Sequence, residues 1–263
     1  MRVGIITGSG SYRWPSLAAA TSTSVSTRFG DVELTDGTLG EVEVVHLSRH
    51  GAGHARLSHQ VAHRANLTAI IERGVDFVIS VTVCGALDPA AELGSLVVFD
   101  DLYFPSNRLP DGTACTWHDT PAASGRGHWI FDSPFSEPLR HHAIAAATAL
   151  DVPVIEQGCY GHVDGPRFNS RSEIAALAHA GVTAVSQTAG PEVVLAGEAE
   201  VPMLLLGYLT DYANGVRATP EPVDALIARM HASTDVFARV VDATVGRVRQ
   251  PPPPVGVNYR FDA

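Results

Sequence analysis

This sequence predicts an α/β fold: a single-domain three-layer sandwich whose mixed central β-sheet is flanked by helices. Short apolar runs alternate with helix-like segments along the chain. Several of those runs are unbroken Val, Ile and Leu, as strands covered on both faces require. The length, 263 residues, suffices for one substantial core.

Strands are expected at 3–6, 42–47, 77–83, 96–99, 152–155, 182–185 and 203–209, each a short apolar run closed by polar or glycine-rich residues. Helices are expected at 60–73, 137–150, 171–180 and 192–199. A longer helix over 222–248 opens on Pro-Glu-Pro and ends before a proline run. Two segments break the rhythm. Residues 105–134, rich in Gly, Pro, Ser, Asp and His, form a loop of the length that serves as a lid, a site or a subunit contact. Residues 249–263 read as a proline-rich, extended tail after a domain of residues 1–248.

Composition removes whole classes of chemistry. All 18 basic residues are arginine, so phosphate loops that need lysine, lysine Schiff bases and pyridoxal phosphate are excluded. A net charge of -10 argues against nucleic acid as a partner. No apolar run reaches membrane-span length, and Met1-Arg2-Val3 leads straight into a strand-like segment, so the expected location is the cytoplasm. Cys84, Cys115 and Cys159 are too few and too scattered for a disulfide framework or a zinc ribbon. His50/His54 and His59/His63 have i,i+4 spacing, but no acid accompanies either pair, and no metal is expected.

Five motifs and one strand end carry the candidate chemistry. In IITGSGSY, glycines after the first strand let backbone amides approach an anion, with Ser9 as a hydroxyl donor. The third glycine of a dinucleotide fingerprint is replaced by Arg13, which argues against a nicotinamide enzyme. HLSRHGAGH sets Arg49 just past a strand, where a guanidinium can clamp phosphate bidentately or simply pair with a carboxylate. SVTVCGALDP ends a strand at Cys84-Gly85, where ligands of open α/β sheets bind. GHVDGPRFNSRSE offers Phe168 either to a flat ring or to the core, and Ser170 as a helix cap. VSQTAGPEVV closes a strand at Gln187-Thr188. Finally, PMLLLGYLTDY delivers Asp211 at the tip of an apolar strand, a placement that is costly unless the carboxylate is paired, exposed or protonated.

In this order, GSG, SRHGAGH, TVCGAL, GPRF, QTAGPEVVLAGE and TDY resemble the trimeric purine nucleoside phosphorylase family, closest to its methylthioadenosine phosphorylase branch. The resemblance implies a phosphorylase/hydrolase-like fold and a homotrimer. It also implies phosphorolysis of a purine nucleoside to free base and ribose 1-phosphate or a 5-modified analogue. Inorganic phosphate is then the co-substrate, and no organic cofactor is needed. It implies phosphate at Ser9, Arg49, His50, the Val83 backbone and Thr188, and ribose at His54 and Gln187. The purine falls to Cys84, Gly85, Phe168, Asn169, Asp211 and Ala213, with Asp211 as the catalytic acid at N7. A neighbouring subunit is expected to contribute His128 or Asp132.

The chain departs from that branch where Ala213 replaces a second acid and Gln187 replaces a methionine beside the sugar. A 6-aminopurine is modestly preferred on the carboxylate of Asp211. A 6-oxopurine phosphorylase, a nucleoside hydrolase and a non-catalytic nucleoside-binding protein stand as alternatives.

Overall fold

The computed structural model describes residues 1–17 and 19–261. Its strands are β1 (Arg2–Thr7), β2 (Ser22–Thr27), β3 (Gly30–Leu39), β4 (Val42–Ser48), β5 (Phe77–Ala86), β6 (Leu96–Val98) and β7 (Asp101–Tyr103). They continue with β8 (Gly127–Ile130), β9 (Val154–Ile155), β10 (Cys159–His162), β11 (Ala184–Ser186), β12 (Met203–Tyr212) and β13 (Val257–Arg260). The helices are α1 (His63–Glu72), α2 (Glu137–Ala149), α3 (Arg171–His179), α4 (Ala189–Glu198) and α5 (Val223–Val245).

Each expected strand and helix lies on an observed one. Beyond them, the sheet gains the β2–β3 hairpin and the short strands β7 and β10. The main path runs β2-β3-β4-β1-β5-β11-β10-β7, with β12 alongside β5 and β6. Most pairs are parallel, while β11 meets β5 antiparallel, so the sheet is mixed.

Alternation along the central strands sorts the core into two layers. Ile5, Ile79, Leu204 and Leu206 share a cluster with Leu139 and Ala143 of α2 and with Phe237 and Val241 of α5. The intervening Ile6, Val78 and Leu205 pack with Leu67 and Ile70 of α1 and Val193 and Leu195 of α4. A strand with both faces buried has no polar side to show, and for that reason these runs read as unbroken apolar sequence.

The feature that creates the site is a parting of the sheet along β5. Its pairing with β1 ends at Ile6 opposite Ser80, and its pairing with β11 begins at Val185 opposite Gly85. Between them, Val81 to Cys84 has no strand on that edge, and the Val81 carbonyl accepts instead from Arg49 Nη1 at 2.9 Å. The C-terminal ends of β1, β4, β5, β11 and β12 all border this gap.

The segment 105–134 is not wholly irregular, because it contains β8, which pairs antiparallel with β13 of the tail. Trp129 of β8 donates from Nε1 to the Val255 carbonyl at 2.8 Å. Its ring fills the space that Gly197 of α4 leaves open, where a Cβ would collide with it. The tail thus contributes a strand of its own, β13, to this pairing. Its last two residues lie outside the described ones. Among the described residues, no helix is long and apolar enough to cross a membrane.

Candidate active site

A cavity of about 280 Å³ opens at the parted strands. Ser9, Arg49, His50, Val83 and Thr188 border it, as do His54, Gln187, Cys84, Gly85, Phe168, Asn169, Asp211 and Ala213. The residues expected from six separate stretches thus share one enclosure. His128 and Asp132 do not border it. His128 sits on β8 opposite Tyr259 with its ring edge-on to Phe261 at 5.4 Å, and Asp132 is exposed just after that strand.

The bidentate clamp expected of Arg49 is directed elsewhere. Its Nε and Nη2 donate to the two oxygens of Glu192 at 2.7 and 3.0 Å, with both side chains fully buried. Ser80 Oγ accepts from Nη2 and donates to Glu192 Oε2, tying the pair together. A buried guanidinium needs such a partner, and Glu192 in the first turn of α4 supplies it. Arg49 still borders the cavity, and its Nη1, which donates to the Val81 carbonyl at 2.9 Å, lies where Gly8 has no side chain.

The His50 ring beside it is neutral. Burial, with help from the Arg49 charge, pushes His50 down to about 4, and its Nδ1 meets the Arg56 carbonyl at 2.8 Å. His54 stacks on His50 with centroids 4.2 Å apart, and its Nδ1 lies 3.1 Å from the Tyr12 hydroxyl. The turn between them uses Gly51 and Gly53 at positive φ, and His54 itself has φ 61°. A left-handed histidine is strained backbone of the kind that persists at functional sites.

Asp211 lies inside β12, just past a bulge: Leu209 pairs with Cys84 and Asp211 with Gly85, leaving Thr210 as the extra residue. Burial raises the Asp211 carboxyl above the usual carboxylate range, opposed by the Thr210 hydroxyl donating at 2.8 Å and by Arg229. Arg229 is itself held by Glu221 at 2.9 Å. Phe168 is 64% exposed, so it packs in no core and presents its ring at the cavity. Ser170 caps α3 with a full capping box. Gln187 is anchored from both ends: Oε1 accepts from Ser58 at 2.9 Å and Nε2 donates to the Arg167 carbonyl at 3.0 Å. Buried Cys84 has its thiol pushed up by desolvation and by Asp211, which makes it a packing group and no nucleophile. Among the described residues, no three His, Cys, Asp or Glu side chains gather as a metal-binding group.

Residues 2–246 match the family model described as Phosphorylase superfamily. The chain belongs to this superfamily. Relatives include the 6-oxopurine nucleoside phosphorylase of Pyrococcus furiosus, 29% identical, with 93% of this chain and 92% of the relative covered. The S-methyl-5'-thioadenosine phosphorylase of Mycobacterium tuberculosis is 34% identical, covering 94% and 89%. Among solved structures, methylthioadenosine phosphorylase from Schistosoma mansoni in complex with adenine superposes with a TM-score of 0.84 at 26% identity, covering 94% and 91%. This superfamily member is therefore a pentosyltransferase with the fold its strand pattern predicts.

Several residues that shape this phosphorylase's cavity escaped the sequence reading. Leu226 and Met230 of α5 border it, but a helical stripe of apolar residues reads as core. Thr82 and Ser186, 3.1 Å apart across the parting of β5 and β11, form part of its floor. Their signal was present, since Thr82 lies within SVTVCGALDP and Ser186 within VSQTAGPEVV. Glu192 gave a signal only as the helix-opening acid of PEVV.

Proposed function

We propose that this enzyme cleaves purine nucleosides with inorganic phosphate, releasing free purine and ribose 1-phosphate or a 5-modified analogue. A 6-aminopurine is modestly preferred. The observation that carries this reading is one cavity bordered both by oxyanion partners (Ser9, Arg49 Nη1, Thr188) and by a carboxyl kept above its usual pKa, Asp211.

In such a reaction a phosphate oxygen forms a bond to C1′ while the N-glycosidic bond breaks and its electron pair moves into the purine. Protonated Asp211 donates to N7 as charge builds there, a contact stronger in the transition state than before it. Phe168 supplies a face for the flat base, and His54 and Gln187 flank the sugar. Phosphate is the nucleophile, so no protein nucleophile and no organic cofactor take part. The working assembly is a homotrimer, with His128 or Asp132 serving a neighbouring site.

A 6-oxopurine is the second reading, favoured by two observations. Ala213 offers no second carboxylate to accept from an amino group, and burial raises the Asp211 carboxyl, whose protonated form can donate to a carbonyl at C6 as well as to N7. Asn214 directs its Nδ2 to the Asn169 carbonyl at 2.7 Å, which commits that donor within the protein. Base release from 6-amino and 6-oxo nucleosides, measured with and without phosphate, tests both readings at once.

A further inference from the structure

The Arg49–Glu192 pair has almost all of its hydrogen-bonding capacity met within the protein. A guanidinium has five N–H donors. Nε and Nη2 carry three of them, directed to Glu192 Oε1 at 2.7 Å, Glu192 Oε2 at 3.0 Å and Ser80 Oγ. Nη1 directs a fourth to the Val81 carbonyl at 2.9 Å. One N–H is left for a ligand, beside Gly8, where a Cβ would collide with Nη1.

Charge leads to the same place. Arg49 is the only arginine among the described residues bordering the cavity, and its charge is cancelled by a carboxylate as buried as itself. The adjacent His50 ring is neutral well below pH 7. The N-terminal amides of α4 add little to the cavity, because Ala189 N donates to the Tyr160 hydroxyl at 3.1 Å and Gly190 N to His162 at 3.4 Å.

We propose that Glu192 is an internal counter-anion: it competes with the substrate oxyanion for Arg49 and thereby sets how weakly the cavity holds phosphate. This rests on the phosphorolytic reading above. The chemical reason is that a nucleophile bound too tightly in the ground state is a poor one. Cancelling the guanidinium leaves directed hydrogen bonds to hold the anion, while its charge remains free to attack. Glu192 touches no reacting atom in this scheme and acts only through Arg49.

The test is Glu192→Gln, which keeps the shape and removes the charge. An unpaired buried guanidinium is costly, and an anion in the cavity relieves that cost. The variant is expected to melt below wild type without phosphate and to gain more Tm than wild type when phosphate is added. Phosphate should bind at least about tenfold tighter by calorimetry, the scale of one charge left uncompensated in a half-enclosed site. The KM for phosphate should fall with it, kcat should drop, and the nucleoside KM should stay within about threefold, since only interactions with Arg49 change. A purely structural role for Glu192 would loosen both substrates together.

Phosphate binding equal to or weaker than wild type in folded Glu192→Gln overturns the proposal. If that variant does not fold, Ser80→Ala, which loosens the pair and keeps both charges, is expected to tighten phosphate about two- to threefold, the scale of one modest hydrogen bond. Unchanged or weaker binding there overturns it as well. Phosphate-independent base release by the wild type would instead sink the phosphorolytic reading, and calorimetry with phosphate alone reads the two failures apart.

Discussion

Thr210 donates its hydroxyl to Asp211 Oδ1 at 2.8 Å, and both residues border the cavity although they are neighbours in a strand. Regular strands point consecutive side chains to opposite faces, so the bulge at Thr210 is what lets β12 present both. The hydroxyl is also the main restraint on the Asp211 carboxyl, which burial drives upward.

Thr210→Val removes that donor and should raise the Asp211 pKa further. The carboxyl then stays protonated to higher pH, so the basic limb of the kcat profile moves up. A limb unmoved or displaced downward would mean that another group titrates there. Asp211→Asn, by contrast, should lower kcat by about 10²–10⁴-fold, the usual weight of general acid catalysis, with melting behaviour little changed. Wild-type turnover in that variant would remove Asp211 from the chemistry.

Gly8→Ala places a methyl group against Arg49 Nη1, which the Glu192 pair prevents from moving aside. The expected result is a phosphate KM raised by about 10- to 100-fold, the loss of one charge-assisted hydrogen bond. The nucleoside KM should be nearly unchanged. Steady-state kinetics with each substrate varied in turn checks this.

Phe168→Ala removes an exposed ring and leaves the core intact. Thermal stability should change little, while the nucleoside KM rises by about three- to tenfold, as expected for one aromatic stacking contact. A Tm drop with an unchanged KM would mean that the ring packs and does not bind.

Four histidines are buried as neutral rings: His46 and His50 at about 4, His63 and His162 at about 3, burial being the first cause in each. The folded pKa values lie below the unfolded 6.5, so the unfolded chain binds more protons in that window. Their stabilising contribution is complete above pH 6.5 and is lost as pH falls toward 3, at about 1.4 kcal/mol per pH unit for each ring. Asp211 has the opposite sign, since its raised carboxyl takes up protons in the native state first. Four rings outweigh one carboxyl, so Tm should fall steadily below pH 6.5. A flat Tm between pH 7 and 5 would show that these rings are not buried neutral in solution.

What was legible in the sequence follows from burial and chain distance. The segments 77–83 and 203–209 announced themselves because both faces are covered, and the motifs because each sits just past a strand's C-terminal end. The β2–β3 hairpin did not, since Ser22–Thr27 is a half-exposed edge strand of Ser and Thr with no apolar run. Nor did β8 and β13, which stabilise each other across more than a hundred residues. Arg49 was legible as an anion partner from its local setting. Its commitment to Glu192, 143 residues away, is a tertiary fact that no local pattern encodes.

Free base released from adenosine, inosine, guanosine and methylthioadenosine, with and without inorganic phosphate, is the measurement that bears most directly on the proposed reaction. The expected result is release from at least one of them that requires phosphate and yields one sugar 1-phosphate per base. Equal release without phosphate, or none from any of the four under either condition, would contradict it.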